Sequence, residues 1–277
     1  MDKNHLDNIY RSFLMEDIGR GDLTSEAIFP SDQIGSADIV AREQFIVAGV
    51  RIIGGRVFQV QNPEIEVFDA IDDGTSVDEG DVLFSVRGPV VDLLKAERTA
   101  LNLLQRISGI ATFTALFVNR VKGYQVRICD TRKTTPGLRS LEKYGVVVGG
   151  GANHRFDLTD GILIKDNHIA ACGSITTAVE RVRDRVPHTV RIEVETDTLD
   201  QVRECLACGV DIIMLDNMKP AMLKEAVDII DGRALIEASG GIAMDNLVAV
   251  ARTGVDIISI GALTHSAPTC DIGMDWT

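Results

Sequence analysis

The sequence predicts an α/β protein, an incomplete TIM-like α/β barrel of about six to seven strands with an N-terminal α+β sandwich domain. Two observations predict it. In the C-terminal half, short β-branched runs alternate with segments of helical periodicity. Residues 36–88 instead show alternating apolar residues separated by turn dipeptides such as Asp73-Gly74 and Glu79-Gly80.

The barrel prediction depends on apolar runs that each end on polar residues. These runs are residues 126–130, 161–165, 190–195, 211–216, 234–239 and 256–261. Their spacing fits a strand, a loop and a helix in each repeat, and near-continuous apolar strands indicate a parallel sheet covered on both faces. A complete barrel has eight strands in about 250 residues, so six units indicate an open one. A doubly wound sheet has the same alternation and remains the alternative.

The N-terminal portion differs in pattern and predicts a separate domain. Strands are expected near residues 37–41, 65–68 and 81–86, followed by a long amphipathic helix from about 91 to 121. We therefore expect residues 1–110 to form a covering and dimerisation domain and residues 111–267 the barrel. Residues 268–277 are expected to pack back on the first domain.

Composition excludes several classes of function. The chain of 277 residues carries a net charge of −13 with a pI of about 4.8, which argues against nucleic acid as a partner. No apolar run approaches the ~18 residues of a membrane span, and the polar N-terminus is unlike a secretory signal. Five scattered cysteines suit free thiols in the cytoplasm, and Cys205 and Cys208 are expected to be packing residues of a helix ending at Gly209.

One basic window interrupts this acidic chain. Residues 131–155 contain five Lys or Arg and a single acid, Glu142, together with a run of three glycines. A local basic site in an acidic protein suits a small anion better than a polymer. The window predicts a pocket for a ligand with several carboxylates or phosphates.

Cationic side chains follow the first two strands of the predicted barrel. Arg132 and Lys133 come after the first strand, His154 and Arg155 follow the glycine run, and Lys165 ends the next strand. Arginine matches carboxylate or phosphate with a planar fork, and lysine offers a compact charge. One such pair alone could be a solvated loop, but their convergence at one rim predicts an anion site.

Acidic and glycine-rich strand ends complete the rim. Glu195 and Asp216 could bind a divalent metal, hydrogen-bond ribose or stabilise a cationic transition state, or they could balance neighbouring cations. Glu193 is expected to have a structural role instead. Ser239-Gly240-Gly241 and Gly261-Ala262 end the last two strands, where barrels of this type commonly bind phosphate.

Long motifs along nearly the whole chain resemble the quinolinate phosphoribosyltransferase family. They are E-D-I-G-R-G-D-L-T at 16–24, E-R-T-A-L-N at 97–102, R-I-S-G-I-A-T at 106–112, D-T-R-K-T-T-P-G-L-R at 130–139, G-G-G-A-N-H-R at 149–155, I-L-I-K-D-N-H-I at 162–169, E-V-E at 193–195, M-L-D-N at 214–217, E-A-S-G-G-I at 237–242 and S-I-G-A-L-T-H-S at 259–266. The resemblance implies transfer of a phosphoribosyl group from phosphoribosyl pyrophosphate to quinolinate, with Mg²⁺, giving nicotinate mononucleotide, pyrophosphate and CO₂ for NAD biosynthesis.

The resemblance also implies an acid-binding half of the site. Arg132, His154, Arg155 and Lys165 would surround the pyridine dicarboxylate. Arg98 would reach into this site from the second subunit of a homodimer.

The same resemblance implies a phosphoribosyl half. Lys133, Glu195 and Asp216 would handle the pyrophosphate, the metal and the ribose, and with Lys165 they would form the catalytic set. The residues that would receive phosphoribosyl pyrophosphate through its 5′-phosphate are Ser239, Gly240, Gly241, Gly261 and His265.

Other functions remain open from the sequence. A paralogous barrel transferase of molybdenum operons would act on a different acid. A Schiff-base aldolase would use Lys133 or Lys165. A non-catalytic phosphosugar sensor would bind the same anions without turnover.

Overall fold

The structure is a computed structural model that describes residues 2–277 and divides into two compact units. Unit 1 comprises the residues up to Thr114, Thr135–Gly150 and Ala267–Thr277. Unit 2 comprises Ala115–Thr134 and Gly151–Ser266. The domain boundary predicted at residue 110 stays a prediction.

Helices and strands alternate along most of the chain. The helices are α1 (Lys3–Ile18), α2 (Leu23–Ile28), α3 (Gly55–Gln61), α4 (Val90–Arg120), α5 (Arg139–Val148), α6 (Asp166–Cys172), α7 (Ile175–Arg183), α8 (Leu199–Cys208), α9 (Pro220–Ile230), α10 (Leu247–Ala251) and α11 (Ala262–His265). The strands are β1 (Ile34–Ala41), β2 (Phe45–Ile46), β3 (Glu66–Phe68), β4 (Ser76–Val77), β5 (Val82–Pro89), β6 (Arg127–Cys129), β7 (Ile162–Ile164), β8 (Ile192–Thr196), β9 (Ile212–Asp216), β10 (Leu235–Ser239), β11 (Ile257–Ser259) and β12 (Ile272–Trp276).

Unit 1 is built on a four-stranded antiparallel sheet in the order β12-β1-β5-β3. Phe84 of β5 is fully buried, and its ring meets that of Phe58 in α3 edge to face at a centroid distance of 6.3 Å. Strands β2 and β4 pair separately. The last strand, β12, comes from the C-terminal tail and pairs with β1.

Helix α1 was not predicted from the sequence. Its apolar stripe is narrow, because the buried residues Leu6, Tyr10 and Leu14 recur every four positions among polar ones. The Asp2 side chain accepts a hydrogen bond from the His5 amide at 2.8 Å and caps the helix. The Tyr10 hydroxyl donates to the carbonyl of Ile52 at 2.8 Å, which fixes the helix within unit 1.

Helix α5 occupies the middle of the basic window and packs closely on α4 within unit 1. A Cβ on Gly145 would lie 2.9 Å from the carbonyl oxygen of Ile107, and one on Gly149 would lie 2.3 Å from that of Ala111. Only glycine allows the two backbones to approach this closely. The glycines of this segment therefore serve helix packing as well as turns.

A buried ion pair fixes the start of α5. Arg106 of α4 donates from Nε and Nη2 to Glu142 Oε1 at 2.8 and 2.6 Å, and Glu142 is fully buried. The second oxygen, Oε2, accepts from the Thr135 amide at 3.1 Å. A buried carboxylate needs this degree of pairing to offset its loss of hydration.

Unit 2 contains a six-stranded parallel sheet in the order β6-β11-β10-β9-β8-β7. A single parallel bridge between Cys129 and Ala152 adds the remnant of a seventh strand beside β6. The predicted α/β class and the incomplete barrel of six to seven strands are confirmed. All six strands point the same way, so their carboxyl ends meet at one edge.

Two sequence features have structural explanations. Cys205 is fully buried in α8 and its pKa is raised to about 12 by burial, while Gly209 ends the helix in the left-handed conformation at φ 64°. All five cysteines lie within residues 2–277 and are thiols there, not disulfides. Helix α4 is long and apolar enough to cross a membrane by length and composition, but 61% of its most apolar window is buried within the protein, as in the core helix of a soluble protein.

The helix–tail packing in unit 1 yields a stability prediction. A Cβ on Gly109 of α4 would lie 1.9 Å from the carbonyl oxygen of Pro268, which is backbone and cannot rotate away. Although alanine favours helix, we expect Gly109→Ala to lose about 2 kcal/mol and roughly 4–8 °C in Tm. Thermal unfolding followed by circular dichroism checks this.

Gly161→Ala is the matched control, because a Cβ there meets nothing within 4 Å and the backbone is not left-handed. Its Tm should stay within about 1–2 °C of wild type, given surface effects of about ±0.5 kcal/mol. Equal Tm values for Gly109→Ala and wild type would contradict the packing described.

Candidate active site

A cavity of about 740 Å³ opens at the carboxyl ends of the parallel strands in unit 2. Its lining includes all of the predicted site residues except Arg98: Arg132, Lys133, His154, Arg155, Lys165, Glu195, Asp216, Ser239, Gly240, Gly241, Gly261 and His265. Strand direction brings these residues together, because each lies at or just beyond a strand end.

Two arginines give one side of the cavity its positive charge. Arg155 donates from Nη1 to the carbonyl of Gly161 at 2.9 Å, which holds the guanidinium in place. The pKa of Arg155 is lowered, first by burial and then by the charge of Arg132, although the side chain stays protonated at any ordinary pH. Arg155 is partly buried and Arg132 is exposed, and an anion between these two like charges would stabilise both.

Lys165 and Glu195 form an ion pair across β7 and β8. Lys165 lies at the amino end of α6 and its side chain is 45% exposed, whereas that of Glu195 is 15% exposed. The pair keeps the cation from repelling the arginines and holds the carboxylate at the cavity wall. An incoming anion has access to the more exposed ammonium group.

Lys133 is held at its backbone. Its amide donates to Thr131 Oγ1 at 3.0 Å, and its carbonyl accepts from Thr264 Oγ1 at 2.8 Å. A Cβ on Gly261 would lie 2.9 Å from Lys133 Cδ, so the absent side chain leaves room for the lysine stem. The charged end of Lys133 remains exposed at the rim.

Asp216 and the turn after β10 form one structure. Asn217, at φ 55°, donates from Nδ2 to Asp216 Oδ2 at 2.6 Å and from its amide to the carbonyl of Ser239 at 2.9 Å. A Cβ on Gly240 would lie 2.3 Å from Asn217 Oδ1, and Gly240 and Gly241 are left-handed at φ 84° and 59°. Asn217 was missed by the sequence prediction, although M-L-D-N contains it.

The remaining predicted anion ligands lie at the end of β11. His265 is exposed, and its Nδ1 lies 2.7 Å from Ser266 Oγ. A Cβ on Gly261 would lie 3.2 Å from His265 Nε2, so the imidazole packs against this glycine.

The floor of the cavity contains an arrangement that the sequence did not predict. His154 Nε2 lies 3.3 Å from Glu193 Oε2 and 3.5 Å from Glu237 Oε1, and both acids are buried. His154 Nδ1 accepts the Arg155 amide at 2.8 Å. Glu193 was expected to have a structural role and Glu237 was overlooked. Strand alternation could have found both, because 193 shares a face with 195 and 237 with 239.

Two of the five cations of the basic window belong to unit 1 instead. Lys143 lies in α5 and is fully buried, and Arg139 begins the same helix. Helix α5 interrupts the window, so only its two ends, Arg132 and Lys133 with His154 and Arg155, line the cavity. Arg98 lies in α4 of unit 1 with its side chain 65% exposed, 3.4 Å from Glu97.

Comparison with known proteins gives a consistent family. Residues 110–275 match the family model described as the C-terminal domain of quinolinate phosphoribosyl transferase, and residues 22–108 match its N-terminal domain. A Bacillus subtilis protein named "Probable nicotinate-nucleotide pyrophosphorylase (carboxylating)" is 48% identical over 99% of this chain and 95% of its own length. A Mycobacterium leprae protein named nicotinate-nucleotide pyrophosphorylase (carboxylating) is 43% identical over 96% and 95%. The crystal structure of NadC from Streptococcus pyogenes superposes with a TM-score of 0.94 at 39% identity, covering 100% of this chain and 99% of that one.

Glu237 generates a prediction for stability against pH. Its pKa is raised from 4.5 to about 7, first by burial and then by the charge of Glu193. The folded state therefore favours the protonated carboxyl. The resulting stabilisation is complete below about pH 4.5 and is lost as the pH rises through about 7.

Glu237→Gln keeps the neutral shape at every pH. We expect its stability relative to wild type to increase by about 3 kcal/mol between pH 4.5 and 8, as measured by urea unfolding. Glu225→Gln on the exposed face of α9 is the control and should give a constant difference. If the difference in unfolding free energy between Glu237→Gln and wild type did not change with pH, the raised pKa of Glu237 would be contradicted.

Proposed function

The chain belongs to the quinolinate phosphoribosyltransferase family, and we propose that the cavity at the carboxyl ends of its parallel strands is the active site. The enzyme transfers the phosphoribosyl group of phosphoribosyl pyrophosphate to quinolinate with decarboxylation. The products are nicotinate mononucleotide, pyrophosphate and CO₂, in de novo NAD biosynthesis. One observation carries the assignment of the site: cations, carboxylates and glycine turns of six strand ends line a single cavity.

In the proposed site, quinolinate binds on the side of Arg132, Arg155 and Lys165. Its two carboxylates match the two guanidinium groups, the partly buried Arg155 and the exposed Arg132, which repel each other when no anion is present. Lys165, at the end of β7, provides a third cation. His154 lines the same side, and its ring nitrogens face protein groups.

Phosphoribosyl pyrophosphate occupies the other side in this proposal. The backbone of Ser239, Gly240 and Gly241 presents a left-handed turn suited to a phosphate, and Gly261 with His265 adds a second contact. Lys133 binds the pyrophosphate. Asp216 and Glu195 then face the ribose between the two halves.

The charges suit both stages of the reaction. Departure of pyrophosphate builds positive charge on the ribose ring, which the carboxylates of Glu195 and Asp216 stabilise, while Lys133 neutralises the leaving group. Attack by the pyridine nitrogen makes the ring cationic. That charge then stabilises the carbanion that remains when the 2-carboxylate leaves as CO₂, and a proton completes the product.

The donor set is suitable for Mg²⁺, which we propose as the cofactor. Glu195 and Asp216 offer hard carboxylate oxygens on adjacent strands, since Glu195 pairs in register with Met214, two residues before Asp216. When bound, Mg²⁺ would neutralise charge on the pyrophosphate.

Glu195→Gln and Asp216→Asn should therefore raise the Mg²⁺ concentration needed for half-maximal activity, measured by titration of the metal.

The cationic contacts give the main test. Lys133→Ala and Arg155→Ala should each lower kcat/KM by about 10²–10⁴-fold, because each removes a cationic contact to an anionic substrate. The assay follows quinolinate-dependent release of CO₂ and pyrophosphate. Lys224→Ala on the exposed face of α9 is the matched control and should retain wild-type rates. Near-normal turnover in both site variants would overturn the assignment.

We further propose a homodimer in which Arg98 serves the active site of the second subunit. The support is its position: the Arg98 side chain is 65% exposed on α4, where its ionic neighbour is Glu97 at 3.4 Å. The cysteines of residues 2–277 are thiols rather than disulfides, which fits a reducing cytoplasm, and we propose that location.

Subunit mixing tests the dimer. Arg98→Ala and Lys133→Ala should each be nearly inactive alone. If Arg98 acts across the interface, a mixture refolded at equal amounts regains about a quarter of wild-type activity, because half of the dimers are mixed and each contains one intact site. A mixture as inactive as its components would show that Arg98 acts within its own subunit.

A further inference from the structure

Two buried acids lie beneath the cavity without a role in the mechanism above. Glu193 on β8 is 5% exposed and Glu237 on β10 is 2% exposed. One oxygen of each, Oε1, accepts no hydrogen bond from any residue in the range 2–277. Burying two carboxylates without full pairing is costly, so their protonation state needs an explanation.

The imidazole between them provides a single hydrogen. His154 Nδ1 accepts the Arg155 amide, so in the neutral ring the hydrogen is on Nε2. Nε2 lies 3.3 Å from Glu193 Oε2 and 3.5 Å from Glu237 Oε1. One N–H therefore faces two carboxyl groups, and only one of them can be its main acceptor.

The other groups around Glu237 do not supply a matching charge. From β8 it faces Glu193, from β11 the neutral Ser259, and from β9 its register partner is the uncharged Met214. The positive charge of Lys165 has a smaller effect on the pKa of Glu237, and Lys165 is already paired with Glu195. Burial and the charge of Glu193 together raise the pKa of Glu237 to about 7. A proton on Glu237 is thus the simplest way to relieve the repulsion.

This position matters for the acid substrate. Glu237 lines the same cavity as Arg132 and Arg155, and quinolinate brings two negative charges to that side. An ionised Glu237 would add a second negative charge to the floor and repel the substrate through a medium of low dielectric. A protonated Glu237 leaves the floor with the charge of Glu193 only.

We infer that Glu237 determines affinity for the acid substrate, which binds when the Glu237 carboxyl is protonated and is repelled when it is ionised. The inference rests on the proposed function. It assigns no contact between Glu237 and the reacting atoms, so Glu237 is a positioning residue that acts through the charge of the floor and through His154. The affinity for phosphoribosyl pyrophosphate, which binds at the rim, should not depend on the protonation of Glu237.

The test measures KM for each substrate from pH 6 to 9 in wild type, Glu237→Gln and the control Glu225→Gln. In wild type and the control, KM for quinolinate should rise about tenfold or more as the pH passes through neutrality. In Glu237→Gln that rise should disappear, with KM for phosphoribosyl pyrophosphate unchanged. The same rise in all three proteins would overturn the inference.

A second measurement does not depend on turnover. Infrared difference spectra between wild type and Glu237→Gln should show a protonated carboxyl band at pH 6 that is lost by pH 9. Absence of the band at pH 6 would overturn the inference even if the variant were poorly active. Lack of quinolinate-dependent pyrophosphate release by wild type at every pH would instead contradict the proposed function.

A bound cation is the competing occupant, since ligand atoms of His154, Glu193 and Glu237 all lie within 4.8 Å of one another. Elemental analysis of the purified enzyme distinguishes a bound metal ion from a proton on Glu237. A stoichiometric transition metal that is lost in Glu237→Gln would overturn the proton assignment. Metal content unchanged by the substitution supports it.

Discussion

The parallel direction of six strands is the constraint on which the site depends. Because strands β6 to β11 all point the same way, each polar residue that follows a strand arrives at one edge. Strand direction alone therefore places the polar residues of adjacent strand ends side by side. The single cavity that results contains both signs of charge, with the apolar strand interiors packed below it.

Charge balance is the second constraint, and it operates in two layers. At the rim, Lys165 is paired with Glu195, so a cation needed for an anionic ligand is not left repelling the two arginines. Below the rim, Glu193 and Glu237 would repel each other unless a proton or a cation is shared. The same low dielectric that strengthens binding at the rim makes unpaired charge beneath it costly.

The sequence predicted the strands and the rim residues because both depend on local pattern: apolar runs of regular spacing, with polar residues where they end. It failed where tertiary packing decides. Gly145 and Gly149 belong to a helix whose partner is α4, and no local pattern reveals that partner. Lys143 is buried by that packing, although a charged residue in a basic segment is ordinarily exposed. Glu237 is a single acid within an apolar strand, and its importance depends on Glu193, far away in sequence.

The turn at Gly240 shows how binding and packing requirements coincide. Glycine there is suited to an anion because its backbone is left-handed and exposed to the cavity. Yet the space that a Cβ would fill is already occupied by Asn217, which also donates to Asp216 and to the carbonyl of Ser239. The carboxylate at the end of β9 and the turn at the end of β10 are therefore fixed by one side chain. The orientation of Asp216 and the shape of the neighbouring glycine turn cannot vary independently.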